Sequence, residues 1–273
     1  DLAAKVWTNQ DEIPDNGVDD NSNGYVDDVH GWNFVGNNNH PQDDQGHGSH
    51  VAGIVAASTN NGIGIAGMSW QATLIPIKAL DNRGEGTFAN LAAGIIYAAD
   101  NGARVTNLSL GSTLTSTTVT QAVSYAQSKG CLLIAAAGNQ GISPVEFPAS
   151  LPGVIAVAAT TSQDMRWLNS NYGAEVTVSA PGENIISASA TGSYFFQTGT
   201  SMSTAHVSGL AALVWSVRPD YSAAQVTRII TETAHDVALP GWDVYTGWGR
   251  IDAYRAVQAV ALTRWFFPII LRP

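Results

Sequence analysis

The stretch "FANLAAGIIYAADNGARVTNLSLG", residues 88–111, decides the fold. Leu91, Ile95, Ile96 and Ala99 fall at helical spacing, and Asn101-Gly102 reads as the stop of that helix. "ARVTNLSLG" then reads as a strand, so a helix feeds a strand through a short turn. The same alternation continues downstream. "TVTQAVSYAQSKG" is an amphipathic helix with a glycine stop, "CLLIAAAG" is a strand apolar on both faces, and "VIAVAAT" and "EVTVSAPG" are two more strands. Upstream, "GHGSHVAGIVAAS" has the small apolar residues of a buried helix, and "ATLIPIKAL" (72–80) reads as a strand before the turn "DNRGEG". Helices are expected again at 201–217, 222–233 and 252–261. Strands that are near-continuous apolar runs, alternating with helices, predict an α/β fold: a mainly parallel sheet between helices. In such sheets ligands sit beyond the carboxyl ends of the strands.

The bulk numbers agree. The chain has 273 residues, 45% hydrophobic and only 12% charged, with 27 glycines. That suits one large, loop-rich domain spanning 1–273 and excludes a disordered or fibrous chain. A net charge of −10 repels nucleic acid and anionic membrane, so neither is an expected partner. No apolar stretch approaches the ~20 residues of a membrane span, and no signal peptide opens the sequence. Cys131 is the single cysteine, so no intrachain disulfide forms; its apolar run marks it as a buried thiol. The tail "RWFFPIILRP", within 262–273, is apolar and has no assigned role.

Nucleophilic serine chemistry needs a base, an orienting group and an oxyanion donor. In "GTSMSTAH" (199–206) Ser201 follows a tight turn into a helix, where the N-terminal dipole favours negative charge. Taken alone, such a serine is an ordinary helix start. The nucleophile-elbow pattern G-x-S-x-G is broken by Ser203, which argues against an α/β-hydrolase esterase. In "DDQGHGSHVAG" (43–53) His47 stands between Gly46 and Gly48, which leave its imidazole open, and His50 follows three residues later. A His-x-x-His pair suggests a metal, but no third soft ligand is near and the zincin spacing is absent. In "AAAGN" Asn139 ends a buried strand, where its amide can donate to a developing oxyanion; taken alone it reads as a turn residue.

Together these segments resemble the subtilisin-like serine proteases, the subtilases. "GHGSHVAG" is similar to the family's histidine motif, "VTNLSLG" to its substrate-binding strand, "AAAGN" to its oxyanion segment and "GTSMSTAHVSG" to its serine motif. "FPAS", "VSAPG" and "GWGRIDAYRAV" match in the same order, so the resemblance covers almost the whole chain. It implies a three-layer subtilisin-like fold and a serine endopeptidase working through an acyl-enzyme. Ser201 is then the nucleophile, His47 the base and Asn139 the oxyanion donor, while Ser109, Leu110 and Gly111 bind the substrate backbone. Glu146, just before Phe147-Pro148-Ala149, then falls near the base of the primary specificity pocket; the alternative is that the local loop length differs and Glu146 points to solvent. His206 matches the helix histidine after the serine and is not the base. Ser203 and Ala205 stand where the family usually has Ala and Pro. The resemblance further implies polypeptide substrates, a propeptide outside this chain, a monomer and an extracellular location.

One element of the family pattern is absent. The third catalytic group is an Asp in a D-[ST]-G segment that closes the first strand, and Asp1-Leu2 resembles the H-P-D-L element just after it. The expectation is a domain incomplete at its N-terminus, with the first strand missing. Asp43 and Asp44 are the acids nearest His47 in sequence. Loss of the orienting acid costs about 10⁴-fold in turnover in such enzymes. The alternative function is therefore an inactive or weakly active pseudo-protease, a calcium-stabilised binding module.

A second motif lies within 1–46. Asp19-Asp20-Asn21-Ser22-Asn23-Gly24 fits D-x-[DN]-x-[DN]-G, a calcium loop of EF-hand type, inside the acidic run 15–28. Asp15, Asp19, Asn21, Asn23 and Asp28 are the candidate ligands for a structural Ca²⁺; His30 occupies the place of the usual bidentate Glu. The plain alternative is a solvated acidic loop. No organic cofactor is expected.

Overall fold

The structure, a computed structural model, describes residues 1–262, so the apolar tail falls outside the described residues from 263 onward. Its main sheet is parallel and runs in the order β3 (Val105–Leu108), β4 (Leu132–Ala136), β5 (Ile155–Thr160), β6 (Val176–Pro181). All five residues of β4 are buried, and they alternate between two cores. Leu133 and Ala135 face a cluster built with α2 (Phe88–Asp100) and α3 (Thr117–Ser128). Leu132 and Ile134 face one built with α4 (Thr200–Val217), α5 (Ala223–Glu232) and α6 (Ala253–Leu262). Burial on both faces is the reason the strand sequences do not alternate with polar residues. Cys131 is buried beside the Thr106 hydroxyl (3.0 Å), and burial pushes its thiol pKa up, as suits a structural thiol.

Helix starts follow local chemistry. The Thr87 hydroxyl accepts the Asn90 amide at the start of α2, and Ser222 with Gln225 forms a reciprocal capping box on α5. α1 (His47–Ala56) begins differently: Gly46 adopts φ +96, which an L side chain rarely tolerates, and the Asp43 carboxylate accepts the amides of Gln45, Gly46 and Ser49.

Two features differ from the sequence reading. The strand expected over 72–80 keeps regular pairing only at β2 (Ile77–Lys78), parallel to β1 (Trp32–Asn33), with an isolated bridge from Leu74 to Val6. Pro76 has no N–H to give, so the ladder is interrupted there. A hairpin of β7 (Ile185–Ala188) and β8 (Tyr194–Gln197), which the sequence reading had not assigned, packs against α1.

The β1–β2 pair and the four-stranded sheet are separate. Between β2 and β3 runs a groove of about 2070 Å³, walled by residues 74–80 and 103–111 and covered on its faces by α2, α1 and α4.

Candidate active site

Ser201 is the second residue of α4, and its environment is set by three chain segments. Its hydroxyl donates to the Ser109 carbonyl (3.3 Å), and the Ser109 hydroxyl donates back to the Ser201 carbonyl (2.9 Å). This reciprocal pair fastens the end of β3 to the start of α4. As at any helix start, the Ser201 N–H has no partner within the helix.

Asn139 reaches the same helix start. Its Oδ1 accepts both the Thr200 N–H (2.9 Å) and the Thr200 hydroxyl (2.9 Å), and the Thr200 hydroxyl in turn accepts the Gly138 N–H. Two donors on one oxygen fix the orientation of the amide. Nδ2 has no hydrogen-bond acceptor among the described residues. The turn that places Asn139 requires glycine: Gly138 has φ +109, and a Cβ there would lie 2.3 Å from Asn171 Nδ2.

His47 is the first residue of α1, partly exposed, with its N–H donating to Gln45 Oε1. Burial holds its pKa below the usual histidine value, against the pull of Asp43. Asp43 and Asp44 are committed elsewhere. Asp43 caps α1; burial pushes its pKa up, but the Ser49 hydroxyl and the loop amides outweigh that and hold it low. Asp44 pairs with Lys78 (2.5 Å). His50 is fully buried and bonds through Nε2 to the carbonyls of Ile185 and Phe195, so it ties α1 to the β7–β8 hairpin. The metal reading of His47 and His50 gains nothing from this geometry. His206 bonds through Nδ1 to the Met202 carbonyl one turn back, inside the helix packing. Ser203, at the position where alanine is usual, is buried and donates to the Ala180 carbonyl, so it joins α4 to β6.

The segment Ser109, Leu110, Gly111 leaves β3 and is partly to fully exposed. It is held by paired backbone bonds between Ser112 and Phe147. Beside it lies Glu146. A Cβ on Gly111 would meet Glu146 Oε2 at 2.2 Å, and one on Gly138 would meet Glu146 Cγ at 2.9 Å. The two glycines thus make room for this carboxylate next to Asn139. Burial raises the Glu146 pKa, and a hydrogen bond from Gln140 partly offsets it.

In the acidic loop, Asp19 accepts the amides of Asn23 and Gly24, Asn21 accepts that of Asn23, and Gly24 at position six has φ +94. Asp15 is exposed, with φ +60. Asp28, by contrast, is fully buried and accepts from Asn9 (2.7 Å), Asn23 (3.1 Å) and the Tyr97 hydroxyl (2.6 Å), so it anchors the loop to α2. Glu12, which the motif did not include, is buried; Oε1 accepts the Asn21 amide while Oε2 has no partner among the described residues. Burial first, then the charges of Asp28, Asp20 and Asp19, raise its pKa against the Asn21 amide. Among the described residues no group of three or more His, Cys, Asp or Glu side chains converges as a metal site.

Comparison with known proteins places the chain among its relatives. Residues 4–249 match the subtilase family, peptidase S8. The chain is 45% identical over 230 residues to thermitase of Thermoactinomyces vulgaris, covering 84% of this chain and 81% of that protein. It is 45% identical over 229 residues to a thermophilic serine proteinase of Bacillus sp. (strain AK1), covering 84% of this chain and 56% of that one. Sphericase has a TM-score of 0.74 at 34% identity, over 77% of this chain and 78% of that chain. No helix among the described residues is long and apolar enough to cross a membrane.

Proposed function

The chain belongs to the subtilase family of serine-type endopeptidases, and on that footing we propose that it cleaves polypeptides through Ser201, His47 and Asn139. The Ser201 hydroxyl turns from the Ser109 carbonyl and adds to the scissile carbonyl carbon, and its proton passes to His47. The oxyanion takes hydrogen bonds from Asn139 Nδ2 and the Ser201 N–H. The C–N bond breaks as His47 returns the proton to the leaving amine, and water then releases the acyl group from Ser201. The substrate backbone lies along Ser109, Leu110 and Gly111. The observation that carries this reading is the Asn139 amide, locked by Thr200 with its donor free beside the start of α4. An internally quenched peptide tests it: hydrolysis by the chain is expected, and Ser201→Ala is expected to abolish it. Equal hydrolysis by the variant would refute the assignment. An extracellular place of action is in keeping with the family.

Glu146 gives the site a preference for Lys or Arg before the scissile bond, since a half-buried carboxylate favours a cationic side chain and penalises an apolar one. Glu146→Gln is expected to lower kcat/KM for Lys peptides by about 10-fold or more, while Phe and Leu peptides change little. Unchanged selectivity would remove Glu146 from the pocket.

The 12–28 loop is proposed to hold a structural Ca²⁺. The residues fit in part: the Asp19–Gly24 turn has the wrapping form, its carboxylate oxygens keep second lone pairs, and Glu12 Oε2 is a buried oxygen with no partner among the described residues. Asp28, with three donors already, serves the loop from behind. Calcium at about 100 times its Kd stabilises by about 2.7 kcal/mol, a rise of roughly 5–10 °C in Tm. Thermal melts with calcium and with chelator check this; identical curves would leave only a solvated acidic loop.

A further inference from the structure

We propose that Asn61 is the chain's primary site of spontaneous deamidation, and that its conversion frees the loop 58–65 from Asp1. The sequence holds four Asn-Gly pairs, beginning at Asn16, Asn23, Asn61 and Asn101. A glycine after asparagine leaves the next backbone nitrogen open to the side-chain amide, since no Cβ stands in the way. Sequence alone therefore ranks the four equally. Exposure sets apart only Asn101, which is half-buried; Asn16, Asn23 and Asn61 are all exposed. In each of these three the side-chain oxygen accepts the N–H two residues on, so the local turn does not separate them either.

What separates them is the attacking nitrogen. The Gly17 N–H donates to Asp27 Oδ2 (3.0 Å) and the Gly24 N–H to Asp19 Oδ2 (2.7 Å), and a carboxylate acceptor holds the proton on nitrogen. The Gly102 N–H donates to the Ala99 carbonyl, whereas the Gly62 N–H has no partner among the described residues. Hydroxide takes the Gly62 proton and the nitrogen adds to Asn61 Cγ. The Cγ–Nδ2 bond then breaks, and ammonia leaves with a proton from water, which returns the hydroxide. One water opens the resulting succinimide at either carbonyl, giving an aspartyl or isoaspartyl residue; nothing is oxidised or reduced. The change falls on a joint. Asn61 Nδ2 donates to Asp1 Oδ1 (2.7 Å), while Asp1 Oδ2 accepts the Ile65 N–H (3.2 Å) and the Tyr194 hydroxyl (2.5 Å). Asp1 thus ties the 58–65 loop to β8, in the hairpin that packs on α1. A carboxylate at position 61 has no proton to give Asp1 and repels it.

The test incubates the folded Ser201→Ala chain in mildly alkaline buffer without calcium, so that neither self-cleavage nor a bound metal intervenes. Peptide mapping by mass spectrometry follows the conversion of each amide to acid. Asn61 is expected to convert at least about 10-fold faster than Asn16 and Asn23, the cost of opening one hydrogen bond to a charged group. Asn101 should also be slower than Asn61. The same chain in denaturant, where all four glycine amides are free, should bring the four rates together. Asn61→Asp carries the aspartyl product from the start. It is expected to speed amide hydrogen exchange in 58–65 at least about 10-fold, while Asn16→Asp leaves that segment unchanged. Conversion of Asn16, Asn23 or Asn101 as fast as Asn61 in the folded chain, or an ordering that survives unfolding, overturns the site. Exchange in 58–65 unmoved by Asn61→Asp overturns the release.

Discussion

Replacing His47 by alanine is expected to lower kcat/KM on peptide substrates by about 10-fold to 100-fold, less than the 10²–10⁴ of a fully positioned general base, because no acid among the described residues orients the imidazole. On the proposed assignment the loss should fall on kcat, with KM little changed, because a general base acts on a proton in flight and not on substrate held at rest. A pH signature goes with it. Burial holds the His47 pKa below the usual histidine value. The base is active when neutral, so activity in the parent chain should persist below the pH at which an exposed histidine protonates and then fall as pH drops through the lowered value. His206→Ala is the control: that ring bonds within its own helix, and its loss should alter stability more than the acid limb. A variant at His47 that keeps both the rate and the acid limb would show that the base lies elsewhere.

The second large effect is at Asn139. Asn139→Leu removes the donor proposed for the oxyanion, and kcat is expected to fall about 10²–10³-fold. That substitution also strips the acceptor from the Thr200 N–H and hydroxyl, which costs about 1–3 kcal/mol of stability. Asn139→Asp separates the two roles, since it keeps the oxygen that seats on Thr200 and lacks the N–H. It should hold the melting temperature near that of the parent and still lose at least as much kcat. If Asn139→Asp were as active as the parent, the side chain would be an anchor for α4 and nothing more.

Much of this was legible in the sequence, for identifiable reasons. β4 could be read because a strand buried on both faces must be apolar throughout, and Leu132 to Ala136 are. The helix stop at Asn101-Gly102 was visible because it satisfies local backbone groups. Asn139 and Ser201 were legible as motif residues, but the orientation of the Asn139 amide was not, because it depends on Thr200, 61 positions away. The strand over 72–80 was read too long because its pairing depends on what lies beside it, and composition does not report neighbours. Glu12 was missed since it precedes the calcium-type motif and reveals itself only through an unpaired oxygen in the folded loop. Asp28 was read as a ligand because it is acidic and near, whereas its three donors come from Asn9, Asn23 and Tyr97, two of them outside the motif. Glu146 gained its setting from Gly111 and Gly138, whose missing side chains are what let it approach.

The account turns on Ser201 being a nucleophile activated by His47. The most direct measurement is labelling of the purified chain with a fluorophosphonate, followed by peptide mapping. The predicted result is a single adduct on Ser201, lost in Ser201→Ala and slowed at least about 10-fold in His47→Ala. No adduct on the folded chain, or an adduct on another serine that survives both substitutions, would contradict it.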